Sequence, residues 1–146
     1  MCWGSLNKPE YVIPSMSEVR AIDSSPYKVV STFSGCGGSS LGYRMAGFRV
    51  VWANEFIEHA QNTYVVNHPD TVLDGRDIRE IDPLVVMKAL DLKEGELDLL
   101  DGSPPCASFS VSGLRSEAWG QQKKYSNRKQ RTDDLFFEYV RFIKAF

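Results

Sequence analysis

The sequence has few of the residues that build disulfide-bonded or zinc-stabilised proteins. Among its 146 residues are 3 cysteines and 2 histidines, and no two cysteines form a Cys-x-x-Cys pair. This scarcity argues against a disulfide framework and against a structural zinc site, so we expect no bound metal. Each of Cys2, Cys36 and Cys106 is therefore interpreted as either a packing residue or a reactive thiol.

Long hydrophobic runs and an excess of basic charge are also missing. No stretch approaches the ~18 apolar residues that a membrane-spanning helix requires, and the first residues lack the pattern of a signal peptide. We therefore expect an intracellular protein with no membrane partner, cytoplasmic if its source is a prokaryote or a phage. The 17 basic and 19 acidic residues give a formal net charge of −2, so any contact with nucleic acid must be local.

Alternating strand and helix patterns follow a polar leader. Residues 1–27 contain 3 prolines and no sustained hydrophobic period, so we predict a poorly ordered N-terminal extension. The alternation in residues 28–146 predicts an α/β domain with a parallel, doubly wound sheet. Residues 107–131 are predicted to be a functional loop or disordered, and Thr132 is the expected cap of a last helix. The predicted strands are 28–33, 48–53, 71–73 and 96–100, and the predicted helices are 39–46, 56–66, 83–90 and 133–146.

A glycine-rich turn follows the first predicted strand and opens a helix. Its sequence is Phe33-Ser34-Gly35-Cys36-Gly37-Gly38, and bare backbone N–H groups at such a place can approach an anionic or polar ligand. The phosphate-binding P-loop pattern fails because Tyr43, not lysine, follows Gly42. The dinucleotide-binding fingerprint fits only in part, because Ser40 occupies the position of its third glycine.

Two acidic residues follow the next two predicted strands. Glu55 stands 20 residues after Gly35, where a carboxylate can accept hydrogen bonds from both hydroxyls of a ribose. Asp77 follows the third strand, where a carboxylate could accept from an adenine amino group, with Asp74 and Asp82 as alternatives for that role. The turn and the two acids together predict a cofactor that contains a nucleoside.

Cys106 follows two consecutive prolines at the end of the fourth predicted strand. The prolines fix the backbone and disfavour a helix, so a stiff turn presents the thiol at the edge where open α/β sheets bind ligands. A thiol is intrinsically very nucleophilic and needs only modest activation for covalent catalysis. From the residues alone, both a packing role and a nucleophilic role remain open.

One family combines these segments in this order. They are the glycine-rich turn, Glu55, Asp77-Ile78, Gly102-Ser103-Pro104-Pro105-Cys106 with Phe109-Ser110, and residues 135–141. From about Tyr27 to Phe146 the chain resembles the first part of a cytosine-5 DNA methyltransferase. The resemblance implies a Rossmann-like sheet that binds S-adenosyl-L-methionine (SAM), of which this chain would carry the first four strands. The residues implied in cofactor binding are Phe33, Ser34, Gly35, Cys36, Gly37, Gly38, Glu55, Phe56, Asp77, Ile78 and Pro104.

The resemblance also implies a reaction on double-stranded DNA. Cys106 would attack C6 of a cytosine rotated out of the duplex, because a stacked base cannot be reached. The methyl group would then pass from the sulfonium of SAM to C5, and loss of the C5 proton would release the thiolate. A cysteine after the proline pair favours a ring carbon as the target, whereas methyltransferases of exocyclic amines have an aromatic residue there. The residues expected to contact nucleic acid are Ser110, Lys123, Lys124 and Arg128.

The sequence departs from the family pattern in two ways. Ala107 stands where the family often has glutamine, and Ser103 where it often has glycine. The family's later Glu-Asn-Val, Gln-x-Arg-x-Arg and target-recognition segments are not found, and the fourth predicted strand would lie at an open edge. We therefore expect a fragment or one part of a split enzyme completed by another polypeptide. The alternatives are an inactive remnant that binds cofactor or a partner, a relative that methylates tRNA, and a nicotinamide-dependent oxidoreductase.

Overall fold

A four-stranded parallel sheet organises the chain, for which the computed structural model describes residues 12–105, 123–125 and 128–146. A separate two-stranded antiparallel ribbon precedes the last helix. In chain order, the elements are α1 (Met16–Ala21), β1 (Lys28–Thr32), α2 (Gly38–Met45), β2 (Arg49–Asn54), α3 (Glu58–Asn67), β3 (Val72–Asp74), a 3₁₀ turn (Ile78–Glu80), α4 (Pro83–Ala89), β4 (Leu99–Gly102), β5 (Lys123–Tyr125), β6 (Arg128–Gln130) and α5 (Leu135–Ala145).

The strand order β3-β2-β1-β4 confirms the predicted α/β fold. From β1 the chain moves outward through β2 to β3, and then crosses to the other side of β1 to form β4. At the carboxyl edge, Thr32 is in register with both Asn54 and Gly102. Because the direction of winding changes between β1 and β4, the crevice beyond the ends of these strands is where such sheets bind ligands.

The core forms where both faces of the sheet are covered. Residues 29–32 of β1 are all buried, as expected for a central parallel strand. Phe142 of α5 is fully buried and stacks on Trp52 of β2, with ring centroids 6.0 Å apart. The main apolar cluster comprises Val30, Trp52, Ile78, Ile81, Val86, Leu135 and Phe142.

Helix α1 lies in the leader and is not predicted by the sequence pattern. Ser15 accepts a hydrogen bond from the Glu18 backbone, and the Glu18 carboxylate accepts from the Ser15 N–H at 2.8 Å, which is a complete capping box. Val19 is buried against the domain, with 1% of its surface exposed. The capping signature explains why a short helix forms between the prolines, while residues 1–11 lie outside the described residues.

Other element boundaries differ from the predicted ones for local reasons. The fourth strand begins at Leu99, three residues later than predicted, and ends at Gly102, two residues later than predicted. The prediction that Thr132 caps the last helix is wrong, because α5 begins at Leu135 with Asp134 in the capping position. The Thr132 hydroxyl is buried with no hydrogen-bond partner among the described residues. A β5–β6 ribbon occupies part of the segment predicted to be a loop.

Candidate functional site

A cavity of about 160 Å³ lies at the carboxyl edge of the sheet, beyond the ends of β1, β2 and β4. Four residues predicted from the sequence to bind a cofactor contribute to its wall: Phe33, Glu55, Phe56 and Ile78. Its other lining residues are Asn54, Ile57, Ser103, Pro105 and Gln130. The fold therefore brings Phe33 of the glycine-rich turn, Glu55 and Pro105 of the proline pair to one cavity.

The glycine-rich turn has an unusual backbone. Phe33, Gly35 and Gly37 have positive φ angles of 54°, 56° and 90°, a region that residues with a side chain rarely occupy. Gly37 must be glycine, because a Cβ atom there would collide with the ring of His68. Phe33 is a bulky residue in this conformation, and such strain concentrates at ligand sites, where neighbouring structure maintains it.

Glu55 joins the glycine-rich turn to the end of β2. Its carboxylate accepts hydrogen bonds from the backbone N–H groups of Gly35 at 2.8 Å and Ile57 at 2.7 Å. Only 7% of the residue is exposed. A carboxylate has about four lone-pair positions, so two backbone bonds leave capacity for further donors such as hydroxyl groups. The side chain thus has a structural role in addition to the predicted one.

Asp77 lies outside this cavity but on an adjoining groove, which also includes Phe56. Its carboxylate accepts from the backbone and guanidinium of Arg79 at 3.0–3.1 Å and from Nε2 of Gln130 at 2.9 Å. Arg79 also pairs with Asp134 and donates to the Arg131 carbonyl at 2.6 Å. The ribbon strand β6 is therefore tied to the loop after β3 through side chains, which no local sequence signal indicates.

The two alternatives to Asp77 have other partners. Asp74 forms an ion pair with Arg76 at 2.6 Å, and although burial opposes it, hydrogen bonds from Arg76 lower the pKa of Asp74. Asp82 accepts from the Leu84 N–H at 2.9 Å and caps α4. Neither side chain lines the cavity or the adjoining groove. Asp77 therefore remains the best placed of the three.

The end of β4 is fixed by contacts that the sequence pattern does not predict. The Thr32 hydroxyl donates to the Asp101 carbonyl at 3.1 Å, and the Ser31 hydroxyl donates to the Asp101 carboxylate at 2.9 Å. At Gly102 a Cβ atom would collide with Thr32 and with the ring of Tyr139. These contacts fix the direction in which the chain enters the Ser103-Pro104-Pro105 turn.

Several predicted site residues do not line the cavity or cannot be placed. The predicted cofactor-binding residues that do not line the cavity are Ser34, Gly35, Cys36, Gly37, Gly38 and Pro104. Cys36 is an exposed free thiol, and Lys124 is exposed on β5. Lys123 and Arg128 contribute their backbones to the ribbon. Cys106 and Ser110 lie outside the described residues.

Comparison with known proteins decides the family. The sequence model of the C-5 cytosine-specific DNA methylase family matches residues 27–146. The chain belongs to the cytosine-5 DNA methyltransferase family. This confirms the resemblance and removes the nicotinamide-dependent oxidoreductase from consideration.

Two relatives and one structure illustrate the similarity to other methyltransferases. Type II methyltransferase M.NgoPII of Neisseria gonorrhoeae is 41% identical over 82% of this chain and 30% of its own length. Type II methyltransferase M.AgeI of Thalassovita gelatinovora is 34% identical over 82% of this chain and 25% of its own length. A crystal structure from an E. coli prophage, described as a DNA modification methyltransferase, matches 82% of this chain and 29% of its own, with a TM-score of 0.60 and 26% identity. The chain thus spans less than a third of these methyltransferases.

The described residues lack two further features, a metal-binding cluster and a membrane-spanning helix. They contain no group of three or more His, Cys, Asp or Glu side chains that could hold a metal ion. None of the helices in the described part of the chain has the length and apolar character that crossing a membrane requires.

Proposed function

We propose that this chain is the SAM-binding and nucleophile-bearing part of a DNA (cytosine-5-)-methyltransferase. The observation that carries the proposal is the meeting of Glu55, Ile78 and Pro105 in one cavity at the carboxyl edge of the sheet. Pro105 directly precedes Cys106. A nucleoside-containing ligand at the first two residues would therefore lie near the expected nucleophile.

The described residues fit SAM in three respects. Helix α2 begins at Gly38, and its first N–H groups have no partners within the helix, which suits the carboxylate of the methionine part. The free lone pairs of Glu55 suit the ribose hydroxyls. Phe33, Phe56 and Ile78 offer apolar surface beside the cavity, and Asp77 on the adjoining groove is an acceptor for the adenine amino group.

In the proposed reaction, bound SAM supplies a methyl group activated by its sulfonium. The Cys106 thiolate forms a bond to C6 of an extruded cytosine, and the electrons of the C5–C6 double bond become available at C5. After C5 is methylated, a base removes its proton, the double bond re-forms and the sulfur–C6 bond breaks. The exposed Lys124 of β5, with Ser110, Lys123 and Arg128, is proposed to contact the phosphates of double-stranded DNA.

We also propose that further polypeptide packs on the sheet in the active enzyme, in the same chain or in a second one. Among the described residues, β4 pairs only with β1, which leaves one edge of the sheet open. On α5, Phe136, Phe137 and Ile143 are 51%, 68% and 52% exposed. An open strand edge and large exposed apolar side chains each favour an interface. Base reading and the protonation of cytosine N3 are assigned to that polypeptide.

Trapping of a covalent complex tests the proposed function. The chain, alone and with a polypeptide carrying the missing family segments, is incubated with SAM and duplex DNA that contains 5-fluorocytosine, which blocks release of the thiolate. We expect a denaturation-resistant adduct that disappears in Cys106→Ser and persists in Cys36→Ser. An adduct with 5-fluorocytosine tRNA instead would indicate a tRNA methyltransferase. No adduct under any combination would indicate a remnant without turnover.

A further inference from the structure

A small polar network contacts the glycine-rich turn through residues that do not line the cavity at the carboxyl edge. His68, at the end of α3, forms a hydrogen bond from Nε2 to the Gly37 carbonyl, with 3.0 Å between the two atoms. The Ser40 and Tyr64 hydroxyls are 2.8 Å apart in a buried contact. The Tyr64 and His68 rings pack with their centroids 4.6 Å apart. The network thus joins one end of α3 to the first turn of α2.

The contact between His68 and Gly37 fixes where α2 begins. A carbonyl oxygen only accepts, so His68 is the donor and carries its proton on Nε2. The same carbonyl accepts the first hydrogen bond of the helix, from the Leu41 N–H at 2.9 Å. Because the imidazole fills the space that a Cβ atom of Gly37 would need, ring and turn fit each other closely.

Tyr64 makes this support rigid. Its side chain is fully buried, and Ser40, which it contacts, has 1% of its surface exposed. A buried hydroxyl that finds a partner restricts both side chains, whereas loss of the partner leaves a costly unsatisfied group. The glycine-rich turn therefore lies on a packed surface, although three of its residues are themselves glycines.

We propose that His68 and Tyr64 are positioning residues that hold the glycine-rich turn in the geometry that binds SAM. The inference rests on the proposed function for the identity of the ligand. Neither side chain lines the cavity at the carboxyl edge, so both act through the turn. Their effect is preorganisation, because a turn held before binding loses less conformational freedom when the ligand arrives.

Two matched substitutions in α3 and its cap test the proposal. His68→Phe keeps an aromatic ring against Tyr64 but removes the donor to Gly37, and His59→Phe makes the same change at an exposed position of the same helix. Calorimetric titration with S-adenosylhomocysteine is expected to show affinity reduced roughly 5- to 20-fold in His68→Phe and within 2-fold of the parent in His59→Phe. His68→Gln, which retains an N–H donor, is expected to recover part of the loss.

Amide hydrogen exchange measured by NMR supplies a readout that needs no ligand. The Gly37 and Leu41 amides are expected to exchange faster in His68→Phe, while amides in β1 keep their protection. If His68→Phe does not fold, Tyr64→Phe, which removes only one hydroxyl, takes its place in both measurements.

The outcomes separate the two proposals. If the parent protein binds no S-adenosylhomocysteine but the exchange result is as expected, His68 and Tyr64 do hold the turn, and the proposed function, with SAM as the ligand, fails. If the parent binds and His68→Phe matches it in affinity and in exchange, the positioning role is wrong.

Discussion

The two acids near the cavity differ in what holds them. Glu55 is buried, and its carboxylate is bonded to two backbone N–H groups that lie in the turns it joins. Asp77 accepts from only one backbone N–H, that of Arg79 at 3.1 Å, and its other donors are side chains, namely the guanidinium of Arg79 and the amide of Gln130. Backbone donors cannot leave without moving the chain, whereas a side chain can change rotamer. Glu55 is therefore part of the site's framework, and Asp77 is an acceptor whose side-chain partners can be exchanged while its one backbone donor stays.

Glu55→Gln is expected to have the largest effect on SAM affinity, because it disturbs the hydrogen bonds between the carboxylate and the backbone. One carboxylate oxygen becomes an NH₂ group that faces a backbone N–H, so a hydrogen bond is lost and a donor meets a donor. Hydrogen bonds to a charged group contribute roughly 1.5–3 kcal/mol each, so we expect affinity for SAM to fall by about 10- to 100-fold. Calorimetry measures the affinity, and thermal denaturation should show a lower melting temperature.

Asp77→Asn is expected to have a smaller effect on affinity and little effect on the glycine-rich turn. The amide can still accept from the Arg79 backbone, but it loses the charge that attracts the guanidinium. We expect affinity for SAM to fall roughly 3- to 10-fold, the loss of one hydrogen bond. A loss as large as that of Glu55→Gln would show that both acids belong to the framework.

Lower pH should weaken the support that His68 gives to the turn. Burial, opposed by the hydrogen bond to Gly37 and assisted by the charge of Arg20, lowers the pKa of His68. His68 lines a second cavity, separate from the one at the carboxyl edge, and the charged residues Arg20, Arg44, Arg49 and Asp70 line it too. Below its unfolded pKa of about 6.5, the unfolded chain binds a proton that the folded chain does not. The contribution of His68 to stability should therefore be constant above this pH and fall as pH decreases toward the folded pKa.

Urea denaturation between pH 5 and pH 8 measures this dependence. His68→Phe should show a shallower decrease in the free energy of unfolding than the parent protein in the acid part of the range. Equal slopes would mean that other groups cause the decrease.

Gln130→Ala is expected to have the smallest effect on affinity. The four hydrogen bonds to Asp77 use all of its carboxylate lone pairs. An adenine amino group must therefore replace one of the present donors. The neutral amide of Gln130 is the donor whose loss costs the least free energy. Removing that amide should leave SAM affinity unchanged or raise it up to about 3-fold. A clear loss of affinity in the calorimetric titration would indicate that Gln130 contacts the ligand or supports Asp77.

The parts of the site that local patterns define are the parts that the sequence predicts. The glycine-rich turn follows from its composition, and Glu55 follows from its distance along a regular strand–helix alternation. The contact between Gln130 and Asp77 joins residues 53 positions apart, and nothing in either segment indicates the other. The same applies to Thr132, which has the residue type of a helix cap, although α5 begins two residues beyond the expected start. Contacts between segments distant in sequence, such as Gln130 with Asp77 and Arg79 with Asp134, determine such details.

The crowding around Gly102 has an evolutionary consequence. Any side chain at this position would displace both Thr32 and Tyr139. Substitution of Gly102 alone is therefore disfavoured, whereas substitution together with smaller residues at the other two positions is not. Homologues with alanine at the place of Gly102 should carry smaller residues at the places of Thr32 and Tyr139. The three positions should therefore vary together, as an inherited unit that keeps the approach to the proline pair unchanged.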